Sequence, residues 1–209
     1  MENIAESEQL IISKQRVTDH GEVLTGKREV NAMLDLVLQE TERIESRFLE
    51  QACGTGNFLA EILMRKLSVV GKRYKRSQAD YEWYAAVAVS SIYGIDIQND
   101  NVKRCRERLF DLVNGEYKSY YKSKTKDVWR KTIEYLLEKN IVWGDAITLK
   151  TAGEHPKPIV FSEWSPLRGG VMKRRDFSFE DIMPEEGMMF FGPLKEYPLA
   201  HLADLPNEC

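Results

Sequence analysis

Glu50, Asp96 and Asp145 each close a short apolar run beside small residues, in FLEQACGTGN, IYGIDIQ and IVWGDA. Singly, an acid next to glycine marks a turn, because Asp and Gly both favour turn geometry. Three carboxylates at the ends of three successive strands point further, to a ligand bound at the carboxyl edge of a parallel sheet. Gly54 and Gly56 have no Cβ, so the backbone approaches such a ligand closely. The chemistry that fits is a nucleoside with a positively charged substituent. Asp96 is suited to accept both ribose hydroxyls and Asp145 to accept from an adenine amino group, and acids near the site suit a sulfonium better than a pyrophosphate. The turn is not a dinucleotide fingerprint, since Leu59 stands where a third glycine is required, and no Gly-Lys-Ser/Thr follows to make a P-loop.

These residues need strands that end together and helices that cover them. Residues 1–25 are polar and read as an N-terminal arm; residues 26–209 read as one domain with an irregular acidic segment from about 167. REVNAMLDLVLQE places Val30, Met33, Leu34, Leu36 and Val37 on one helical face. RFLEQA then reads as a strand, NFLAEILMRKLSVV as a helix with Phe58, Ile62 and Leu63 inward, and YEWYAAVAVSS as a second helix. IYGIDIQ is a strand, NDNVKRCRERLFDLV a helix capped in Asn99 to Asn101, and NIVWGDAITL and KPIVFSEW are two further strands. Alternating strands and helices predict an α/β fold, a mostly parallel sheet with helices on both faces.

With 209 residues, 43% hydrophobic and 30% charged, the chain is long enough for one core without disulfides or metal. Cys53, Cys105 and Cys209 are odd in number and scattered, as are His20, His155 and His201, so no zinc site or disulfide framework is expected. No apolar run reaches membrane-spanning length, and the acidic start MENIAESEQL lacks the features of a secretory signal, so a cytoplasmic protein is expected. Charge is uneven: between Lys103 and Lys131 there are ten Lys or Arg against four acids. That stretch, 103–131, is either a solvated helix face or a surface for nucleic-acid phosphates.

LEQACGTGNFL resembles the (D/E)-P-A-C-G-(S/T)-G-x-(F/L) loop of the adenine-specific DNA methyltransferases, the modification subunits of restriction systems. GEVLTGKREVNAMLDLV is similar to their segment upstream of that loop, YGIDIQNDNVKRCRERL to their ribose-contacting strand and helix, and IVWGDAIT to their adenine-contacting strand end. The four stand in family order over about residues 16 to 165. The resemblance implies a Rossmann-like, class I methyltransferase fold, here lacking the last strands, with S-adenosylmethionine as cofactor. It implies that Thr25 contacts the methionyl end and that Glu50, Ala52, Gly54 and Gly56 form the loop around it, with Asn57 closing the loop and Cys53 packing within it. Asp96 would hold the ribose, Ile97 would pack on adenine, and Asp145 would meet the adenine amino group with Ala146 beside it. DNA is the implied partner, together with a specificity or recognition chain.

Two departures bear on activity. Gly26 and Gln51 replace prolines that the family pattern prefers, which leaves the backbone less rigid. Where the family holds the target amine in (N/D)-P-P-(Y/F), this chain has SEWSPL. Ser162 or Glu163 is then the candidate acceptor for the amine and Trp164 the candidate stacking surface. Three functions stay open: a DNA adenine methyltransferase, a catalytically inactive cofactor-binding module acting through a partner, and a methyltransferase for a small-molecule or protein amine.

Overall fold

The computed structural model describes residues 25–182 and 192–207. Almost all of the expected arm lies outside the described residues, as do His20 and Cys209. The described chain opens with α1 (Lys27–Asp35) and α2 (Leu38–Thr41). Of the five apolar residues assigned to one face, only Val30 and Leu34 are buried. Met33, Leu36 and Val37 are exposed; the helix ends at Asp35, so Leu36 and Val37 fall outside it and do not share its face.

Next come β1 (Phe48–Glu50), α3 (Asn57–Tyr74), α4 (Gln78–Ser90), β2 (Ile92–Asp96), α5 (Asn99–Tyr121), α6 (Asp127–Asn140) and β3 (Ile141–Asp145). β1, β2 and β3 are parallel neighbours in that order, with Glu50 level with Gly94 and Asp96 level with Trp143. β2 is buried at all five positions, which is why IYGID shows no apolar–polar alternation: both of its faces are covered. α3 turns Ile62, Leu63, Leu67 and Val70 inward, at helical spacing. α4 starts at Ser77, whose hydroxyl accepts from the Asp80 amide, and its buried Ala85, Ala86 and Ala88 allow close packing on both α3 and α6. Lys66 of α3 is fully buried beneath β1. Its ammonium donates to the carbonyls of Ile44 and Ser46 and to the Ser91 hydroxyl, and burial pushes its pKa down to about 7.

The remainder departs from a mostly parallel sheet. β4 (Lys150–Thr151) runs antiparallel to β3. β5 (Val160–Leu167), expected as the fourth parallel strand, instead pairs antiparallel with β6 (Val171–Ser178) in a second sheet. The reason is local. Gly169 and Gly170 both take positive φ, at 87° and 73°, and the three-residue turn Arg168–Gly170 sends the chain straight back. After α7 (Phe179–Ile182), β7 (Lys195–Glu196) and β8 (Ala200–His201) both pair with β6. The segment read as irregular from about 167 therefore carries an eight-residue strand. The fold is α/β with parallel and antiparallel pairing. Among the described residues no helix is long and apolar enough to cross a membrane.

Candidate functional site

The carboxyl ends of β1, β2 and β3 open onto one cavity of about 610 Å³. Glu50, Asp96 and Asp145 all line it, each contributed by the last residue of its strand. Of the residues assigned to cofactor from sequence, Thr25, Glu50, Ala52, Cys53, Gly54, Asn57, Asp96, Ile97, Asp145 and Ala146 line this cavity, and Gly56 does not.

Gly56 acts one step behind the surface. It begins α3 in the left-handed region, at φ 85°, and a Cβ there would stand 2.7 Å from the Cys105 sulfur. Cys53 and Cys105 are both buried, with Cys53 against β2, where a Cβ on Gly94 would stand 3.0 Å from its sulfur. Hydrogen bonding to Cys105 and then burial push the Cys53 thiol up, so it is a packing group rather than a nucleophile. Replacing Gly56 by alanine is expected to cost about 2–3 kcal/mol, from the clash and the positive φ together. In the double variant Gly56→Ala with Cys105→Ala the clash disappears and about 1–2 kcal/mol remains, measurable by urea denaturation as a mutant cycle.

The loop is tied from three sides. Asp96 Oδ2 accepts from the Gly54 amide at 2.8 Å, while Oδ1 accepts from the Gln98 amide at 2.8 Å and from Asn101 Nδ2 at 3.3 Å. Asn57 Nδ2 donates to the Thr25 carbonyl at 2.8 Å, which fastens the residues before α1 to the loop. From α5, Arg108 donates to Asn57 Oδ1 at 2.6 Å. Asp145 folds onto its own turn: Oδ1 accepts from the Ile147 amide and Oδ2 from the Thr148 hydroxyl, and these bonds hold its carboxyl below the usual range. Each oxygen accepts one of these bonds and so has acceptor capacity left. Glu50 has a different environment. Burial raises its pKa, and among the described residues no basic side chain pairs with it.

The lining that sequence reasoning missed is Gln51, Phe58, Gln98, Asn101, Gly144 and Ile147. Ile97 and Ile147, which line the cavity, are exposed large apolar side chains, 51% and 93% accessible. The available signal was an apolar residue one position after Asp96 and two after Asp145. Among the described residues the lining has three carboxylates and no Lys, Arg or His.

Ser162, Glu163 and Trp164 do not reach this cavity. Ser162 is buried, donating to Asp176 Oδ1 at 2.8 Å and accepting from Arg174 Nε at 3.0 Å. Trp164 is buried with its indole N–H on Asn140 Oδ1 at 2.8 Å. Glu163 forms ion pairs with Arg47 at 2.8 Å and Arg175 at 2.5 Å. Ser162 and Glu163 line a separate cavity of about 180 Å³ beside β1, with Phe48, Leu49, Tyr93, Phe161, Phe177 and Phe179. The structure thus gives all three structural partners, because β5 folds onto β6 instead of extending the parallel sheet. Among the described residues no cluster of three His, Cys, Asp or Glu could hold a metal ion.

No family model, no curated protein and no solved structure matches this chain.

Proposed function

We propose that this cavity binds S-adenosylmethionine, and that the chain is the cofactor-binding core of a Rossmann-like, class I methyltransferase similar to the DNA adenine methylases. The observation that carries the reading is a cavity with three strand-end carboxylates and, among the described residues, no cationic side chain. Such a lining attracts a ligand bearing positive charge and repels a phosphorylated nucleotide. S-adenosylmethionine supplies a methyl group on a sulfonium, with a ribose and an adenine. Asp96 Oδ2, which among the described residues accepts only from the Gly54 amide, has capacity left for a ribose hydroxyl; Asp145 would meet the adenine amine, Ile97 and Ile147 the faces of the base, and Glu50 the cationic end. The first turn of α3 adds the amides that a helix leaves unpaired at its start, which suit the ligand carboxylate.

Titration calorimetry with S-adenosylmethionine tests this, with ATP as the anionic control. Heat with the first and none with the second is expected; no heat with S-adenosylmethionine for the folded protein overturns the reading. Affinity also depends on Glu50. The cation needs the ionised carboxylate, and burial places its pKa above the ordinary glutamate value. Binding is therefore expected to weaken as pH falls, from a higher pH than an exposed glutamate would allow, and Glu50→Gln is expected to flatten that dependence.

A second reading has its own observation. Ser162, Glu163 and Trp164 are held by buried partners or ion pairs and stand off the cavity, which favours a module that binds cofactor and transfers no methyl group unaided. Labelled methyl transfer to duplex DNA, with and without a recognition chain, separates the two.

A further inference from the structure

α3 and α5 both begin at the cavity and run side by side away from it. α3 has 18 residues and α5 has 23, so at 1.5 Å per residue they carry the chain about 27 and 34 Å from the cavity. At their far ends the surface changes character. Lys72, Arg73, Lys75 and Arg76 at the end of α3 are exposed, as are Lys118, Lys122 and Lys124 at the end of α5, and none is ion-paired to a described residue. Cations in the last helical turn complement the dipole, which accounts for Lys72, Arg73 and Lys118. Lys75, Arg76, Lys122 and Lys124 lie beyond those turns and are not explained that way. Lys122 also holds a positive φ of 49°, an unfavourable conformation for a side chain at an exposed bend.

Between the two helices lies a groove of about 470 Å³, with Lys72 and Lys75 on one side, Tyr120 and Glu116 on the other, and Met64, Leu67 and Leu112 between them. Tyr120 and Met64 are each 38% accessible. Glu116 is the one acid in the groove. Its carboxyl is raised by burial, and it accepts from the Tyr120 hydroxyl at 3.2 Å. Asp80 is exposed nearby, and Glu82 is already paired with Lys126.

We propose that this groove binds single-stranded nucleic acid. An aromatic and apolar floor takes an unpaired base, the lysines around it take the flanking phosphates, and Glu116 accepts from an exocyclic amine. A paired duplex offers no free base face to the floor. The distance along α3 and α5 makes this an anchoring surface rather than the route by which a substrate base would reach the cofactor cavity. The inference does not rest on the cofactor reading, and either can fail alone.

Fluorescence anisotropy with a labelled oligo-dC of about 16 nucleotides is the test, with an unlabelled duplex of equal length and polyglutamate as competitors. The expected result is binding at low salt that weakens steeply as salt rises, because bound counterions are released. Lys72→Glu with Lys75→Glu is expected to weaken it at least ten-fold and Tyr120→Ala about five-fold or more, with the heat of S-adenosylmethionine binding unchanged in both. All of these side chains are exposed, and circular dichroism checks that the variants fold. No binding at low salt, or binding untouched by all these substitutions, overturns the proposal. Duplex displacing oligo-dC as well as oligo-dC itself makes the patch a general polyanion surface and also overturns it. Polyglutamate doing so assigns the groove to an acidic protein instead.

Discussion

Asp176→Ala is expected to destabilise the protein by about 3–5 kcal/mol, which for a chain of this size lowers the melting temperature by roughly 10 °C. Arg174 and Asp176 meet in a two-pronged ion pair, Nε to Oδ1 at 2.9 Å and Nη2 to Oδ2 at 2.8 Å, and both residues are buried. Asp176 further accepts from Ser162 and from the Tyr197 hydroxyl at 3.0 Å, while Arg174 donates to the Tyr135 hydroxyl at 2.6 Å and lies over the rings of Trp164 and Tyr197. Removing the carboxylate leaves a buried guanidinium without its counter-charge, and that uncompensated charge is the source of the large cost. Ser162→Ala removes two hydrogen bonds to charged partners but leaves the ion pair itself in place, and should cost only about 2 kcal/mol. Urea denaturation of both variants checks the ratio. Near-equal costs would mean that the ion pair is not the centre of the network.

This network also shows why the second sheet was hard to read. β6 alternates buried and half-buried residues as far as Asp176, but two of the buried ones are Arg174 and Asp176. A search for alternating apolar residues passes over a strand whose buried face is charged. The turn was more legible than the strand, since two adjacent glycines between extended runs are a hairpin signal. The opposite holds at the cavity. There the spacing of small and acidic residues carried the information, and the parallel register of β1, β2 and β3 brings Glu50, Asp96 and Asp145 to one edge as that spacing implied. The cap expected in Asn99 to Asn101 is not there, since α5 already begins at Asn99 behind Gln98; Asn101 instead lines the cavity and donates to Asp96, a contact that depends on where α5 docks.

Asp96→Asn is expected to weaken S-adenosylmethionine binding about 100-fold, more than its loss of charge at the ribose alone would give. The substitution keeps the shape and replaces one carboxylate oxygen by an NH₂ group. In the native protein three N–H donors converge on Asp96: the amides of Gly54 and Gln98 and the side chain of Asn101. An asparagine must point its own donor at one of them, so the glycine loop or the start of α5 loses an anchor. A charged hydrogen bond contributes about 1.5–3 kcal/mol, and two such losses reach the stated factor at about 1.4 kcal/mol per ten-fold. Calorimetry gives the affinity, and hydrogen exchange at Gly54 shows whether the loop has come loose. An affinity within about two-fold of the native value would remove Asp96 from the site.

β1 has a consequence for how the protein behaves at high concentration. It is the end strand of its sheet, and among the described residues no strand pairs with its outer side. An open edge is a template on which a second chain can add a strand, the usual first step of aggregation. Here the template is three residues long, too short for a stable added ladder, and Arg47 stands at its start, held by Glu163. Glu163, which sequence reasoning offered as a candidate acceptor for the target amine, thus holds Arg47 as a charged gatekeeper at the start of the open edge.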